Sequence, residues 1–367
     1  MAMSSQDMDP DVARTLFREG ATLIFLDVPP KTEFGIDHNT WNVGTEFKGV
    51  KMIPPGIHFV YYSAVSSDNQ TAPRTGFFHS FKKGEIVVKK WDNYLEDIKD
   101  EVISDEEIER FKVNLKDLDK HLGAYPYDSW KKWISQTHYI TDEVLDRIEP
   151  LNKKISSVSH LVTDESPESS TRTSKRPRLD DLLPKMCHKP GTEIRFSKFP
   201  EKKYPDGSSA AEITRHSLDS TYTLDQMLES YAGTEDILGE LQMAFICFIL
   251  GQVFDAFEEW KHLIALLCSC DVALTKYPDL YSKFIFVLHH QLQEIPQDFF
   301  VDIVSRENFL VNTLHSFFSN LNGNQQVAKE VVEKGRRFKK YLTKTFKWDF
   351  DREDDDEAPV VVETEEM

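Results

Sequence analysis

Apolar positions along the chain fall into three regimes. Up to about Ile98 they come as short runs divided by Gly and Pro. Ala21–Val28 is rich in strand formers and bounded by Gly20 and Pro29-Pro30, and Ile57–Val65 is entered through Pro54-Pro55-Gly56. Gly76–Phe81 and Glu85–Lys90 flank Lys82-Lys83-Gly84, which predicts a hairpin with glycine where positive φ is needed. Several short strands of this kind predict a sheet sandwich or barrel, preceded by one short helix at Asp11–Glu19.

After Trp91 the period becomes helical. Ser104 followed three residues later by Glu107 has the pattern of a capping box. Ile108, Phe111, Leu115, Leu118 and Leu122 then recur on one face, predicting a single helix over Ser104–Leu122, closed by Gly123 and Pro126. Ser129–Thr137 and Thr141–Ile148 predict two more short helices before Pro150, packed on the strands. Residues 156–190 hold few large apolar side chains and read as a flexible, disordered linker, because they bury too little surface to offset the entropy of ordering. From there the pattern is helical almost throughout, with candidates at Ala210–Tyr231, Glu235–Gly251, Val253–Leu274, Asp279–Ile295, Asn308–Leu321 and Gln325–Thr345. Gly251 leaves almost no loop between two of these, which implies an antiparallel helical hairpin. The expected fold class is therefore α+β. Residues 1–155 form an N-terminal β-rich domain with short helices and 156–190 the linker. Residues 191–347 form a C-terminal all-α domain and 348–367 an acidic tail.

Composition narrows the function classes. A chain of 367 residues with 40% hydrophobic and 29% charged positions is ordinary for a globular protein of two domains. The longest apolar run, Met243–Leu250, is far short of the ~20 residues a bilayer demands, so no membrane span is expected. Met1–Asp11 lacks the charged-then-apolar form of a secretion signal, and the cysteines Cys187, Cys247, Cys268 and Cys270 are too sparse for a stapled secreted fold. Both features point to free thiols inside the cell. The formal net charge of −18 argues against a general nucleic-acid binder. That charge is concentrated at one end. Asp349–Met367 holds ten acids against Arg352, whereas Gln325–Lys347 holds eight Lys or Arg against Glu330 and Glu333. Lys329–Lys347, with Phe338, Tyr341 and Phe346 interleaved, offers a second reading as an RNA-binding helix, against a plain one as a solvated face with cations at a helix C-terminus. Lys175-Arg176-Pro177-Arg178 is either a nuclear-import address or a solvated charge run.

Catalytic patterns are missing from the sequence. It has no Gly-x-Ser-x-Gly elbow, no phosphate loop and no His-Glu-x-x-His pair. Gly35, Gly44, Gly49 and Gly56 read as turn glycines. Cys268-Ser-Cys270, with His262, His289 and His290, invites a zinc reading. Thiols two apart on a helix diverge by about 200°, however, so core thiols are the expectation. His38, His58 and His79 read as turn or sheet residues. No catalytic residue, metal ligand or cofactor is expected, and the chain reads as a binding protein rather than an enzyme. Phe299-Phe300-Val301, Phe309-Leu310 and Phe317-Phe318 read first as core. Pro359, Val360, Val361 and Val362 form a β-branched strip inside the acidic tail, suited to adding a strand to the edge of a partner's sheet. The plain alternative is an incidental run of valines.

Several longer words point further. Thr32-Glu33-Phe34-Gly35-Ile36-Asp37, Gly44-Thr45-Glu46-Phe47, the stretch from Gly49 to Phe59, Gly191-Thr-Glu-Ile-Arg-Phe196, Glu240-Leu-Gln-Met-Ala-Phe245 and the stretch from Glu294 to Val304 resemble the AAR-two splicing factor homologs over nearly the full chain. That resemblance implies a β-sandwich-like N-terminal domain, a helical C-terminal domain and a role as assembly chaperone of the U5 snRNP. The implied partner is the large scaffold protein of the spliceosome, held through its RNase H-like and Jab/MPN-like domains. While bound, such a factor delays joining of the particle's RNA helicase. The resemblance places the strand-adding role on Pro359, Val360, Val361 and Val362, and it implies a cytoplasmic and nuclear protein. Direct RNA binding is not expected. A helical adaptor in a trafficking or ubiquitin pathway is the alternative.

Overall fold

The computed structural model describes residues 10–66, 68–99, 103–159, 161–163, 186–295 and 309–350. It has an N-terminal two-sheet β region with short helices and a C-terminal helical region. The chain forms two compact units, Met1–Ser197 with Gln242–Glu259, and Lys198–Leu241 with Trp260–Met367. Most of the expected linker, 164–185, lies outside the described residues, as do Lys175–Arg178, Phe299–Val301 and Pro359–Val362.

After a helix at Pro10–Glu19 come β1 (Ala21–Leu26), β2 (Glu33–Ile36), β3 (Asn39–Asn42), β4 (Gly49–Ile53), β5 (Gly56–Ser63), β6 (Thr75–Phe81), β7 (Ile86–Asp92) and β8 (Asp97–Ile98). Short strands β9 (Leu122–Ala124), β10 (Ile155–Ser156), β11 (Leu161–Thr163) and β12 (Met186–His188) follow. One sheet has the order β8-β7-β1-β4-β9 and mixes parallel and antiparallel pairs. The second, β10-β6-β5-β2-β3, is antiparallel throughout. Strands β11 and β12 pair separately, so the two ends of the expected linker are joined as a small ribbon.

The two sheets share a core. Leu23 and Phe25 of β1, Phe34 and Ile36 of β2, Val60 and Tyr62 of β5, Phe77 and Phe81 of β6, and Trp91 of β7 pack together. Ile24, one residue out of step in β1, joins Ile86 and Val88 on the opposite face, under Ile108, Phe111, Leu115 and Leu118. This explains the continuous apolar run in β1. A strand covered on both faces has no polar side to alternate with.

Three expectations change. Strands β6 and β7 do not form a hairpin. Gly84 does take positive φ (+65°), but its N–H donates to the Glu19 carbonyl at 3.0 Å and Thr22 N–H donates to the Glu85 carbonyl at 2.8 Å. These bonds draw β7 alongside β1, and the turn passes from one sheet to the other. The Ser104–Leu122 helix breaks. Ser104 caps Asp105–Val113 as expected, accepting from Glu107 N–H, but Asn114 ends that helix and Leu122 enters β9, paired in parallel with β4. Glycines 35 and 49 lie in strands, not in turns, and Gly56 is the first residue of β5. A side chain at Gly35 would overlap the Tyr61 ring that lies across it.

In the helical region Ala210–Tyr231 is two helices, Ala210–Leu218 and Thr221–Glu229. Asp219 between them accepts from the Thr221 backbone N–H at 3.0 Å, the Thr221 hydroxyl at 2.6 Å and the Asp271 N–H at 3.0 Å, which pins the break. Helices Asp236–Ile249, Phe254–Cys268, Val272–Lys276, Pro278–Leu292, Phe309–Gly323 and Lys329–Phe346 follow among the described residues. Phe317 and Phe318 are core residues, as read from the sequence; Phe317 meets Tyr281 and Phe284. Among the described residues no helix is long and apolar enough to cross a membrane.

Candidate functional site

The densest polar constellation sits inside the β unit. Asp37 opens the two-residue turn between β2 and β3 at φ +52°, a conformation that Asp tolerates better than most residues. From there its carboxylate turns inward. It accepts from Phe59 N–H at 3.1 Å and from the Tyr125 hydroxyl at 2.6 Å, and it meets His58 Nδ1 at 2.7 Å. His58 Nε2 lies 2.8 Å from the Pro54 carbonyl, which can only accept, so Nε2 carries a hydrogen. Burial, and then the Asp37 carboxylate, push the Tyr125 phenol far up, so it remains a donor. The Trp133 ring stacks on His58, and its Nε1 donates to the Ile57 carbonyl at 2.8 Å. Asp37 is 0% and His58 1% exposed. A carboxylate–imidazole pair of this kind resembles part of a catalytic triad. Here, however, every neighbour is a structural partner and the surface is closed, so its work is to lock strand β5 to the β2–β3 turn.

The other candidates are also packed. Cys268 ends its helix and Cys270 follows it, so the divergence argued for two thiols on one helix does not apply to this pair. Cys268 and Cys270 are nonetheless both buried, as is Cys247. Burial raises all three thiols, Cys270 to about 12, which keeps them protonated and poor as nucleophiles or metal ligands near neutral pH. His289 packs on Tyr341 and His290 on Phe286, at 4.4 Å between ring centroids in each case. Among the described residues no group of three or more His, Cys, Asp or Glu is arranged to hold a metal ion.

Two surface features of the helical unit can receive another molecule. A groove of ≈ 670 Å³ has an apolar floor of Phe199, Ala265 and Leu266 and a polar rim that includes Lys203, His262 and Asn312. It suits an aromatic or aliphatic anchor from a partner. The second is the outer face of Lys329–Phe346. Its inner face buries Val331, Gly335, Phe338 and Leu342. Phe338 is thus in the core and cannot stack on a base, and Tyr341 is half-buried against His289, while Arg336, Arg337, Lys340 and Lys344 face out. The sequence located this basic helix but not which of its aromatics point inward.

Of the words singled out in the sequence, Thr32–Asp37, most of Gly49–Phe59 and Glu240–Phe245 fold into the interior, whereas Gly44–Glu46 is exposed and 296–304 lies outside the described residues. Phe34 meets Phe47 at 5.0 Å, and Asp37 and His58 are the network just described. The Gln242 side chain accepts from Tyr139 N–H at 2.8 Å and donates to the Ser135 carbonyl at 3.3 Å. Arg195 donates from Nε to the Glu149 carbonyl at 2.7 Å. The strip Pro359, Val360, Val361 and Val362 is not among the described residues.

Comparison with known proteins covers both regions. The family model described as the AAR2 N-terminal domain matches residues 19–150, and that of the AAR2 C-terminal repeat region matches residues 196–351. The chain is 45% identical over 382 residues to "Protein AAR2 homolog" of Mus musculus, covering 99% of each chain. It is 40% identical over 362 residues to the protein of that name in Caenorhabditis elegans, covering 94% of this chain and 98% of the relative. "A1 cistron-splicing factor AAR2" of Saccharomyces cerevisiae is 21% identical over 359 residues, covering 93% of this chain and 97% of the relative.

Proposed function

The chain belongs to the AAR2 family, and from that premise we propose that it acts in pre-mRNA splicing as an assembly chaperone of the U5 snRNP. The observation that carries the reading is end-to-end similarity, through both the sheet and the helical regions, to a yeast relative named as a splicing factor. On this reading the chain works by occupancy, in the cytoplasm and nucleus. It holds the large U5 scaffold protein through that partner's RNase H-like and Jab/MPN-like domains and delays joining of the RNA helicase. Two features support a holding role. The helical unit presents a groove with an apolar floor and polar rim, and the tail carries Pro359, Val360, Val361 and Val362 among acids, a composition that favours pairing with an external sheet edge over self-packing.

The test is capture of endogenous partners by the full chain and by a version stopped at Glu357. Capture of the U5 scaffold protein by the full chain, with loss on truncation, supports both the role and the strand-adding tail. Equal capture by both versions removes the tail from the interface. Failure of both removes the U5 role.

A further inference from the structure

The outer face of helix Lys329–Phe346 has a regular charge pattern. Arg336, Lys340 and Lys344 recur every four residues opposite the buried face, and Lys347 follows just past the helix; all four are exposed. Arg336 and Arg337 share Glu333 at 3.7 and 2.9 Å, and Lys334 meets Glu330 at 2.8 Å. Among the described residues no carboxylate ion-pairs with Lys340, Lys344 or Lys347. The stripe therefore carries uncompensated positive charge.

The path of the chain beyond the helix is fixed as far as Phe350. Lys347 takes the left-handed conformation at φ +60°, and Trp348 stacks on Phe346 at 4.9 Å. Phe350 packs on Phe318 at 5.0 Å, and Phe318 in turn lies 6.1 Å from Phe338, two turns back from the helix end. Phe350 thus turns in against the packed side of the helical unit before residue 351. The next seven residues, 351–357, hold six acids against Arg352. Half the circumference of a helix about 10–12 Å across is roughly 16–19 Å, a distance about five extended residues cover. Residues 351–357 are long enough to carry their later carboxylates from Phe350 round to the stripe.

We propose that the stripe Arg336, Lys340, Lys344 and Lys347 is the docking face for the chain's own acidic segment 351–357. The charges are complementary, and the tether makes their encounter intramolecular, at an effective concentration of order millimolar for a short linker. The contact is electrostatic and lies at the surface, so salt weakens it. It also couples two events. A partner that draws the valine strip away uncovers the basic stripe, and a polyanion that takes the stripe frees the tail, with equal and reciprocal effect. The inference does not depend on which protein the tail meets.

A cycle of four proteins tests it: the full chain, a version stopped after Phe350, the double substitution Lys340→Gln/Lys344→Gln, and the combination. The readout is the salt concentration that elutes each from immobilised heparin. If the tail covers the stripe, the double substitution lowers the elution salt of the shortened protein and lowers that of the full chain by less than about half as much, the non-additivity of groups in contact. Equal decrements in the two backgrounds overturn the proposal and leave the stripe open to an outside polyanion. A second readout needs no truncation. Carbodiimide treatment of the monomer in low salt should join Lys340 or Lys344 to carboxylates of 353–357, and high salt should abolish those links. Links from the acidic segment only to lysines outside the stripe overturn the proposal as well.

Discussion

Replacing Asp37 by Asn tests whether the buried Asp37–His58–Tyr125 network holds the sheet unit together. Asn keeps the shape and tolerates the positive φ at this turn, so the change isolates the carboxylate. The native carboxylate serves three groups: Phe59 N–H, the Tyr125 hydroxyl and His58 Nδ1. An amide offers one oxygen and turns an NH2 toward groups that were satisfied by oxygen. At least one hydrogen bond to a charged group is lost, worth about 1.5–3 kcal/mol, and a buried donor is left unmet at about 1–3 kcal/mol. Together these terms put the expected loss at about 3–5 kcal/mol, a large part of a domain's total of about 5–15 kcal/mol. Tyr125→Phe removes one bond to that carboxylate only and should cost about 1.5–3 kcal/mol. Urea unfolding followed by tryptophan fluorescence gives the loss. Two units need not melt together, so deuterium uptake by strand β5, Gly56–Ser63, should be measured alongside to localise it. The reasoning is refuted if Asp37→Asn costs less than Tyr125→Phe, or if β5 exchanges no faster.

Three further outcomes are expected. Arg74 reaches the Leu250 carbonyl at 2.8 Å, pairs with Glu33 and lies 4.5 Å over the Tyr61 ring, so Arg74→Lys should keep the charge but lose the fork, lowering stability by about 1–2 kcal/mol in urea titration. His38 is held at a pKa of about 4, chiefly by burial and then by Lys132, below its ordinary value of 6.5. The unfolded chain therefore takes up this proton first as pH falls. The contribution is complete above about 6.5 and fades toward 4, by at most about 1.4 kcal/mol per pH unit, and His38→Asn should flatten that part of the stability–pH curve. Trp348 and Phe350 close the helical unit at 7% and 4% exposure, so Trp348→Ala should cost about 3 kcal/mol in thermal or urea melts, while stopping the chain after Phe350 should leave the melt almost unchanged.

The sequence alone determined the local elements, because the period of apolar residues records which face of a segment is buried. The β1 run and the helix now at Lys329–Phe346 were legible in this way, and the Ser104 cap from its spacing to Glu107. So was the family, through long words, of which Thr32–Asp37 and Glu240–Phe245 fold into the interior and so report packing more directly than contact with partners. Tertiary structure decided what depends on distant residues. β7 leaves β6 for β1 because backbone bonds from Gly84 and Glu85 reach the preceding helix and strand. The helix after Ser104 ends early because β4 offers Leu122–Ala124 a parallel partner. Asp37, His58 and Tyr125 span 88 positions and carry no shared local signal, yet two hydrogen bonds to the Asp37 carboxylate bring them to one buried point. Local propensity sets the elements, but long-range hydrogen bonds and burial choose which of them meet.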